Sequence, residues 1–175
     1  FIYMAIRRGP LATPTSATEV FDINFASGTD PVVPSAISVV DMAILSARTG
    51  AGKHYVPSRL HGGYVKTDST AAEAGVSSDL WKFDNQNGWG TAGSVLGVNY
   101  ISYMWKRAPG FCDVVTYTGN GVQGHNIEHN LGVAPDMMWV KNRDQTDDWA
   151  VYVSGITHLS VFGSDSDGFG NNPVR

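Results

Sequence analysis

The chain has 175 residues, a formal net charge of −4 and a charged fraction of only 16%. A chain of this length can bury roughly 70% of the surface that its unfolded form exposes, so a substantial core is possible. The sparse, mildly negative charge argues against a nucleic-acid partner, which would require a basic surface. No apolar run approaches the roughly 18 residues that a membrane-spanning helix needs. The single cysteine, Cys112, excludes an intrachain disulfide.

Short β-type runs separated by turn residues follow one another through the first part of the chain. Alternating apolar and polar residues, with many Val, Ile and aromatic side chains, are typical of half-buried strands. One short helical turn is predicted at residues 70–75, and a turn-rich loop at residues 84–93. The predicted strands are residues 1–6, 20–25, 37–45, 64–67, 81–83 and 98–106.

The pattern continues beyond residue 110, where strands are predicted at residues 114–117, 137–140 and 149–152. Many short strands at close spacing, with almost no helix, predict an all-β fold. We expect antiparallel β-sandwich units of jelly-roll or lectin-like type.

Parts of the sequence recur at separations between 90 and 100 residues. Small changes in the separation are what insertions and deletions in loops produce, so the series indicates an internal repeat. The matched pairs are Tyr3-Met4 with Tyr103-Met104 (100 residues apart), Phe21 with Phe111 (90), Asp41-Met42 with Asp136-Met137 (95) and Tyr55-Val56 with Tyr152-Val153 (97).

The repeat predicts units in tandem, one complete and one partial. Residues 1–17 would be the tail of a preceding unit plus a linker, and residues 18–110 a complete β-sandwich-like repeat. Residues 111–175 would be the first part of a second, related repeat. Its strands at residues 114–117 and 137–140 should then pack against something outside the sequence or leave an exposed apolar edge.

Several stretches resemble segments of a family of marine bacteriophage proteins. They are YMAIRRGP, TSATEVFDI, SRLHGG, TDSTAAEAG, WKFDNQNGWG, YMWKRAPGFCDVVTYTGNG and HNLGVAPDMMWVKNR followed by DWAVY. The family comprises virion structural and tail-fibre-type proteins of phages that infect cyanobacteria and related marine bacteria. The resemblance implies arrays of β-sandwich domains, some lectin-like, in homo-oligomers that are often trimers. It also implies a place in the virion, after assembly in the host cytoplasm, beside other virion proteins.

Candidate sites are few. Trp89 lies between glycines in the predicted loop, so we expect an exposed ring that could contact a host cell-surface glycan. Asp165 and Asp167 form an oxygen-rich turn that could hold Ca²⁺, although the spacing departs from an EF-hand. Asp41 and Asp136 occupy matching repeat positions, but the sequence gives no reason for them to face each other across a cleft as glycosidase carboxylates do. No other cofactor is indicated.

Three functions fit these features to different degrees. The first is a structural segment of a phage fibre or appendage, which spaces and displays other elements during attachment to the host. The alternative is a carbohydrate-binding module that recognises the receptor directly. A polysaccharide depolymerase is the least supported, because no catalytic constellation is recognisable, and we expect no enzyme activity.

Overall fold

The computed structural model of the chain describes residues 12–26, 33–49, 54–76, 80–92, 99–155 and 161–162. Within these residues the fold is all-β and every pair of neighbouring strands is antiparallel, which confirms the predicted class. The described helical structure is a single 3-10 turn, Ala17–Glu19. The predicted strand at residues 1–6 lies outside the described part of the chain.

The strands form three sheets. A five-stranded sheet has the order β1-β8-β3-β4-β5, and two three-stranded sheets have the orders β2-β7-β6 and β11-β10-β9. The strands are β1 (Phe21–Phe25), β2 (Val33–Pro34), β3 (Met42–Ala47), β4 (Tyr55–Pro57), β5 (Tyr64–Lys66), β6 (Trp81–Lys82), β7 (Gly88–Thr91), β8 (Tyr100–Trp105), β9 (Met137–Lys141), β10 (Trp149–Val153) and β11 (Val161–Phe162).

One face of the five-stranded sheet shares the main core with the sheet β2-β7-β6. Because side chains alternate along a strand, β3 directs Ala43 and Leu45 into this core, where both are fully buried. The opposite sheet contributes Val33 and Trp89, which are also fully buried. The two sheets therefore enclose one continuous apolar cluster.

The other face of the five-stranded sheet contacts β10. Met42 and Ile44 alternate with the core residues of β3 and point to this second face. There they pack with Val56, Val65 and Trp149, and the indole of Trp149 covers the cluster. The five-stranded sheet is thus covered on both faces, which explains why β3 reads as an almost continuous apolar run.

Strands β9-β10-β11 reproduce the pairing of β3-β4-β5 at a constant shift of 95 residues. Leu45 lies opposite Tyr55, and 95 residues later Val140 lies opposite Ala150. In the same way Tyr55 faces Lys66, while Ala150 faces Val161. The residue equivalent to Tyr55 in the pairing is therefore Ala150, and the separation of 97 predicted for this match is wrong by two residues. An alignment shifted by two residues leaves every side chain on the same face of the strand, so the pattern of apolar residues does not reveal the error.

The equivalence extends to hydrogen bonds at the strand ends. The amide of Arg59 donates to the carbonyl of Asp41 at 2.7 Å, and 95 residues later the amide of Ser154 donates to the carbonyl of Asp136 at 2.7 Å. These bonds fix the start of β3 to the end of β4 and the start of β9 to the end of β10. The division of the chain into tandem sandwich units stays a prediction.

Three local predictions are wrong. Residues 114–117 form no strand, and residues 70–75 form no helix. Residues 70–75 instead bond to two neighbours: Ala74 forms an isolated bridge with Tyr64, and the amide of Glu73 donates to the carbonyl of Arg143. The predicted loop at residues 84–93 contains β7, because Gly88 permits close packing of that strand against β2.

Candidate functional site

The prediction that Trp89 is exposed is wrong. Its ring is fully buried, stacks on Phe83 at 5.3 Å between centroids, and donates from Nε1 to Ser102 Oγ at 3.2 Å. Gly88 explains this placement, because its φ of 141° and its contact with the carbonyl of Val33 leave no room for a side chain. Gly88 therefore serves close packing, and the ring of Trp89 is not accessible to a sugar.

The two repeat-equivalent aspartates have separate partners. Asp41 is buried, accepts from Arg59 Nε at 3.1 Å, and accepts from the amide of Arg107 at 2.8 Å. Asp136 is exposed and accepts from Ser154 Oγ at 3.1 Å. Each carboxylate secures the start of its own strand, β3 or β9, and the structure does not pair them as a hydrolytic acid and base.

Arg59 is the centre of a polar cluster beside a shallow cavity of about 250 Å³. Its guanidinium bonds to Asp41, to Asp84 Oδ1 at 2.7 Å, and to the carbonyls of Val40 and Phe83. These bonds join the β4–β5 connection to β3 and to the end of β6. The donors of Arg59 are thus occupied by bonds within the chain.

A second polar cluster connects the five-stranded sheet with the loop between β9 and β10. Glu73 is the centre: its carboxylate accepts from Arg143 Nε at 2.8 Å and from the amide of Gly63 at 3.1 Å. Its amide donates to the carbonyl of Arg143 at 2.9 Å. The side chain of Glu73 is buried. Its partner Arg143 lies 70 positions later in the sequence, so the pair is a long-range contact.

His61 lies against the same carboxylate, with Nδ1 3.1 Å from Glu73 Oε1. Burial lowers the pKa of His61, and the positive charge of Arg143 lowers it further, although the charge of Glu73 opposes both. The imidazole therefore stays neutral near pH 7. The contacts of Glu73 with Arg143 and His61 thus connect the five-stranded sheet with the loop between β9 and β10.

An apolar cleft of about 210 Å³ lies beside this contact, between β9, β10 and the five-stranded sheet. Ile44, Thr67, Trp139, Trp149 and Val151 line it. Trp149 is buried and donates from Nε1 to the carbonyl of Lys66 at 2.6 Å, whereas Trp139 is 44% exposed. The two rings meet edge to face, at 6.3 Å between centroids.

Trp139 is thus the tryptophan that the structure presents to solvent beside a cleft. The sequence did not single it out, because Met-Met-Trp-Val is typical of a buried strand. A signal was available in the repeat: Trp139 stands where the first copy has Ile44, and an aromatic replacing an aliphatic residue marks a changed surface.

The two aspartates proposed for Ca²⁺, Asp165 and Asp167, lie outside the described residues. Among the residues that are described, no cluster of three His, Cys, Asp or Glu side chains could hold a metal ion. Burial raises the pKa of the Cys112 thiol to about 11, and the charges of Asp113 and Asp41 add to the effect. No described helix is long and apolar enough to cross a membrane.

Comparison with known proteins gives one result. Residues 109–167 match a family model described as a domain of unknown function (DUF7483). No curated protein and no solved structure matches the chain. The matched segment begins two residues before position 111, where the sequence predicts the second unit to start, and it contains β9, β10 and β11. Over those residues the chain is similar to that family of undetermined function.

Proposed function

We propose that the chain is a structural segment of a phage fibre or appendage, in which β modules in series hold other elements away from the particle. The observation that carries this proposal is the pair of three-stranded meanders with one register, β3-β4-β5 and β9-β10-β11, in a single chain. Recurrence of one supersecondary unit is the architecture of arrays and fibres.

The contact between the two meanders supports a mechanical role. Ile44 of β3 and its equivalent Trp139 of β9 both line the apolar cleft, so equivalent faces of the two meanders meet. The ion pair between Glu73 and Arg143 adds a polar tie at the edge of this contact. Apolar burial combined with a hydrogen-bonded ion pair whose carboxylate is buried resists relative movement of the two meanders.

The sequence resemblance supports the assignment to a virion. In that setting the chain would assemble in the host cytoplasm as a homo-oligomer, with a trimer as our expectation, and would contact other virion proteins. The polar clusters around Arg59 and Glu73 are occupied by internal bonds, so we expect no catalytic activity.

Detection in purified particles tests the proposal. Antibodies raised against the chain should label gradient-purified phage on an appendage, and mass spectrometry should find its peptides at a constant ratio to the major capsid protein. The protein present in infected-cell lysate but missing from purified particles would contradict a structural role.

A carbohydrate-binding function is the second candidate, and Trp139 is the observation in its favour. A half-exposed indole beside an apolar cleft can stack on a sugar ring. A glycan array and host lipopolysaccharide should then show binding that Trp139→Ala abolishes. Tyr117→Ala is the control, because Tyr117 is also exposed but does not line the cleft. Absence of any binding by the unaltered chain would eliminate this candidate.

A depolymerase, the third candidate, would release reducing ends from host polysaccharide. We expect no such release, because the carboxylate of Asp41 accepts hydrogen bonds from Arg59 and Arg107. Asp136 bonds to Ser154 instead, so the two carboxylates do not act as a pair. Release of reducing ends that Asp41→Asn or Asp136→Asn abolishes would reverse this expectation.

A further inference from the structure

Two Asn-Gly pairs occur in the sequence, Asn87-Gly88 and Asn120-Gly121. Asparagine is among the chemically less stable residues of proteins. In such a pair the backbone nitrogen of the glycine can attack the side-chain carbonyl carbon of the asparagine, because a residue without a Cβ atom shields its nitrogen least and turns most freely. The attack requires movement of the peptide bond between the two residues. The surroundings of each glycine therefore decide which asparagine reacts.

The first pair is held by strand pairing. Asn87 is exposed, but Gly88 is buried in β7 and lies opposite Pro34 of β2. The carbonyl of Asn87 accepts from the amide of Ser35 at 2.8 Å. A Cβ atom on Gly88 would stand 2.1 Å from the carbonyl oxygen of Val33. The nitrogen of Gly88 therefore cannot approach the side chain of Asn87 unless β2 and β7 separate.

The second pair lies in an exposed loop. Residues 115–126 are all exposed and form no strand. Gly121 has a φ of 70°, and a Cβ atom there would meet no other atom within 4 Å. No described residue forms a backbone hydrogen bond with Gly121. The peptide bond between Asn120 and Gly121 can therefore turn without the loss of any strand pairing.

One hydrogen bond places the side chain of Asn120 beside the peptide that follows it. The amide of Val122 donates to Asn120 Oδ1 at 2.9 Å, and the ring that this bond closes includes both Asn120 Cγ and the nitrogen of Gly121. The donor polarises the side-chain carbonyl, and it would stabilise the negative charge that develops on Oδ1 during the attack. The loop thus combines a mobile nucleophile with a polarised electrophile.

We propose that Asn120 is a site of spontaneous covalent modification, converted to aspartate and isoaspartate by the nitrogen of Gly121 and water, whereas the pairing of β7 protects Asn87. The nitrogen of Gly121 forms a bond to Asn120 Cγ, and the bond from Cγ to the side-chain nitrogen breaks. Water relays the proton of the attacking nitrogen to the leaving nitrogen, which departs as ammonia. A second water molecule then opens the cyclic imide at either carbonyl, which yields aspartate or isoaspartate. The reaction needs no oxidant, reductant or enzyme.

The modification changes the charge and the backbone of the loop. Residues 114–126 contain no Asp, Glu, Lys or Arg, so the new carboxylate is the first such charge among them. The formal net charge of the chain becomes one unit more negative than −4. Isoaspartate also carries the main chain through the side-chain carbon, which lengthens the backbone of the loop. This inference does not rest on the assignment to a phage.

Peptide mapping of the full chain after incubation at neutral pH tests the proposal. Trypsin cuts after Lys106, so the two asparagines fall on different fragments, and mass spectrometry measures the conversion of each amide to an acid. We expect Asn120 to convert at least about tenfold faster than Asn87, because Asn87 reacts only in the molecules in which β7 has separated from β2. Chromatography should resolve an aspartate and an isoaspartate form of the fragment that contains Asn120.

Incubation in urea is the matched control, because it exposes both pairs equally, and the two asparagines should then convert at similar rates. Gly121→Ala, whose new side chain meets open space, should slow the conversion of Asn120 in the folded chain and leave that of Asn87 unchanged. Circular dichroism shows that this variant is folded. Equal rates for the two asparagines in the folded chain, or an Asn120 that stays intact, would overturn the proposal. A rate at Asn120 that Gly121→Ala does not change would also overturn it.

Discussion

Gly88 lies where β7 pairs with β2, and the position has no space for a side chain. A Cβ atom there would stand 2.1 Å from the carbonyl oxygen of Val33, and the φ of 141° disfavours any residue except glycine. We expect Gly88→Ala to lower the free energy of unfolding by about 2 kcal/mol or more, since clash and backbone strain add. Urea denaturation measures it.

Gly110 provides the matched control. Its φ of 70° is also positive, but a Cβ atom there meets no other atom within 4 Å. Gly110→Ala should therefore cost only the backbone strain, about 1 kcal/mol. Equal losses for the two variants would show that the close approach of β7 to β2 is not what requires Gly88.

Cys112 should be an unreactive thiol. Burial and two neighbouring carboxylates raise its pKa to about 11, so at pH 8 very little of it is thiolate. We expect a thiol reagent to modify it at least about tenfold more slowly than a free cysteine, and at the ordinary rate after unfolding in urea. Rapid modification of the folded chain at pH 8 would contradict this environment.

At the scale of elements, the contact between Glu73 and Arg143 couples the segment before β6 to the β9–β10 loop. A double-mutant cycle with Glu73→Gln and Arg143→Met should give a coupling energy of about 1 kcal/mol, because the carboxylate is buried while the guanidinium is partly solvated. Thermal and urea unfolding measure the four proteins.

Lys82→Met is the control for this cycle, because Lys82 is exposed and lies on β6. It should show no coupling with Glu73→Gln. A coupling energy for Arg143→Met no larger than that for Lys82→Met would mean that the ion pair does not hold the loop.

Element prediction succeeded where alternation and core contacts agree. β1, β5, β8, β9 and β10 lie where alternation or short runs rich in β-branched and aromatic residues predict strands, within one or two residues at each end. β7 was missed because Gly-Trp-Gly-Thr reads as a turn, while its conformation is decided by packing against Val33. Residues 114–117 have strand composition but no described pairing partner, and a strand without a ladder is not stable by itself.

At the scale of the whole molecule, stability should depend on pH through His61. Its pKa is lowered below 6.5, so the folded state disfavours its protonation more than the unfolded state does. Stability from the neutral imidazole is complete above pH 6.5 and decreases as the pH falls below that value. We expect the melting temperature to fall between pH 7 and pH 5, and to fall less in His61→Gln.

Asp113 sets a second, more acidic range. Burial alone would raise the pKa of its carboxyl group, but the amide of Asn130 and the guanidinium of Arg107 outweigh it and lower that pKa. The contribution of Asp113 to stability is therefore present above the ordinary carboxyl range and is lost on further acidification.

The prediction for His61 has a clear contrary outcome. Parallel melting curves for His61→Gln and the unaltered chain between pH 7 and pH 5 would show that His61 does not titrate as expected.

The candidate sites were harder to predict than the fold. Asp41 was singled out as a carboxylate, but its partner Arg59 becomes evident only when β3 and β4 pair. The bond between Trp149 and Lys66 joins residues 83 positions apart, and local pattern contains no information on such distances. Period-two alternation predicts which face of a strand is apolar, but not which apolar faces remain uncovered.

The shared register of β3 and β9 with their following strands has a consequence for how the chain folds. We expect the edge of β9 to compete with β3 for β8 during refolding, because the connection from β8 to β9 is shorter than that from β3 to β8 and its closure costs less entropy. The native position prevails at equilibrium because β8 forms ladders with both β1 and β3 there. During synthesis β3 is available before β9 exists, so vectorial folding protects the native choice, whereas refolding from denaturant exposes both strands to β8 at once and should partition into a kinetic trap.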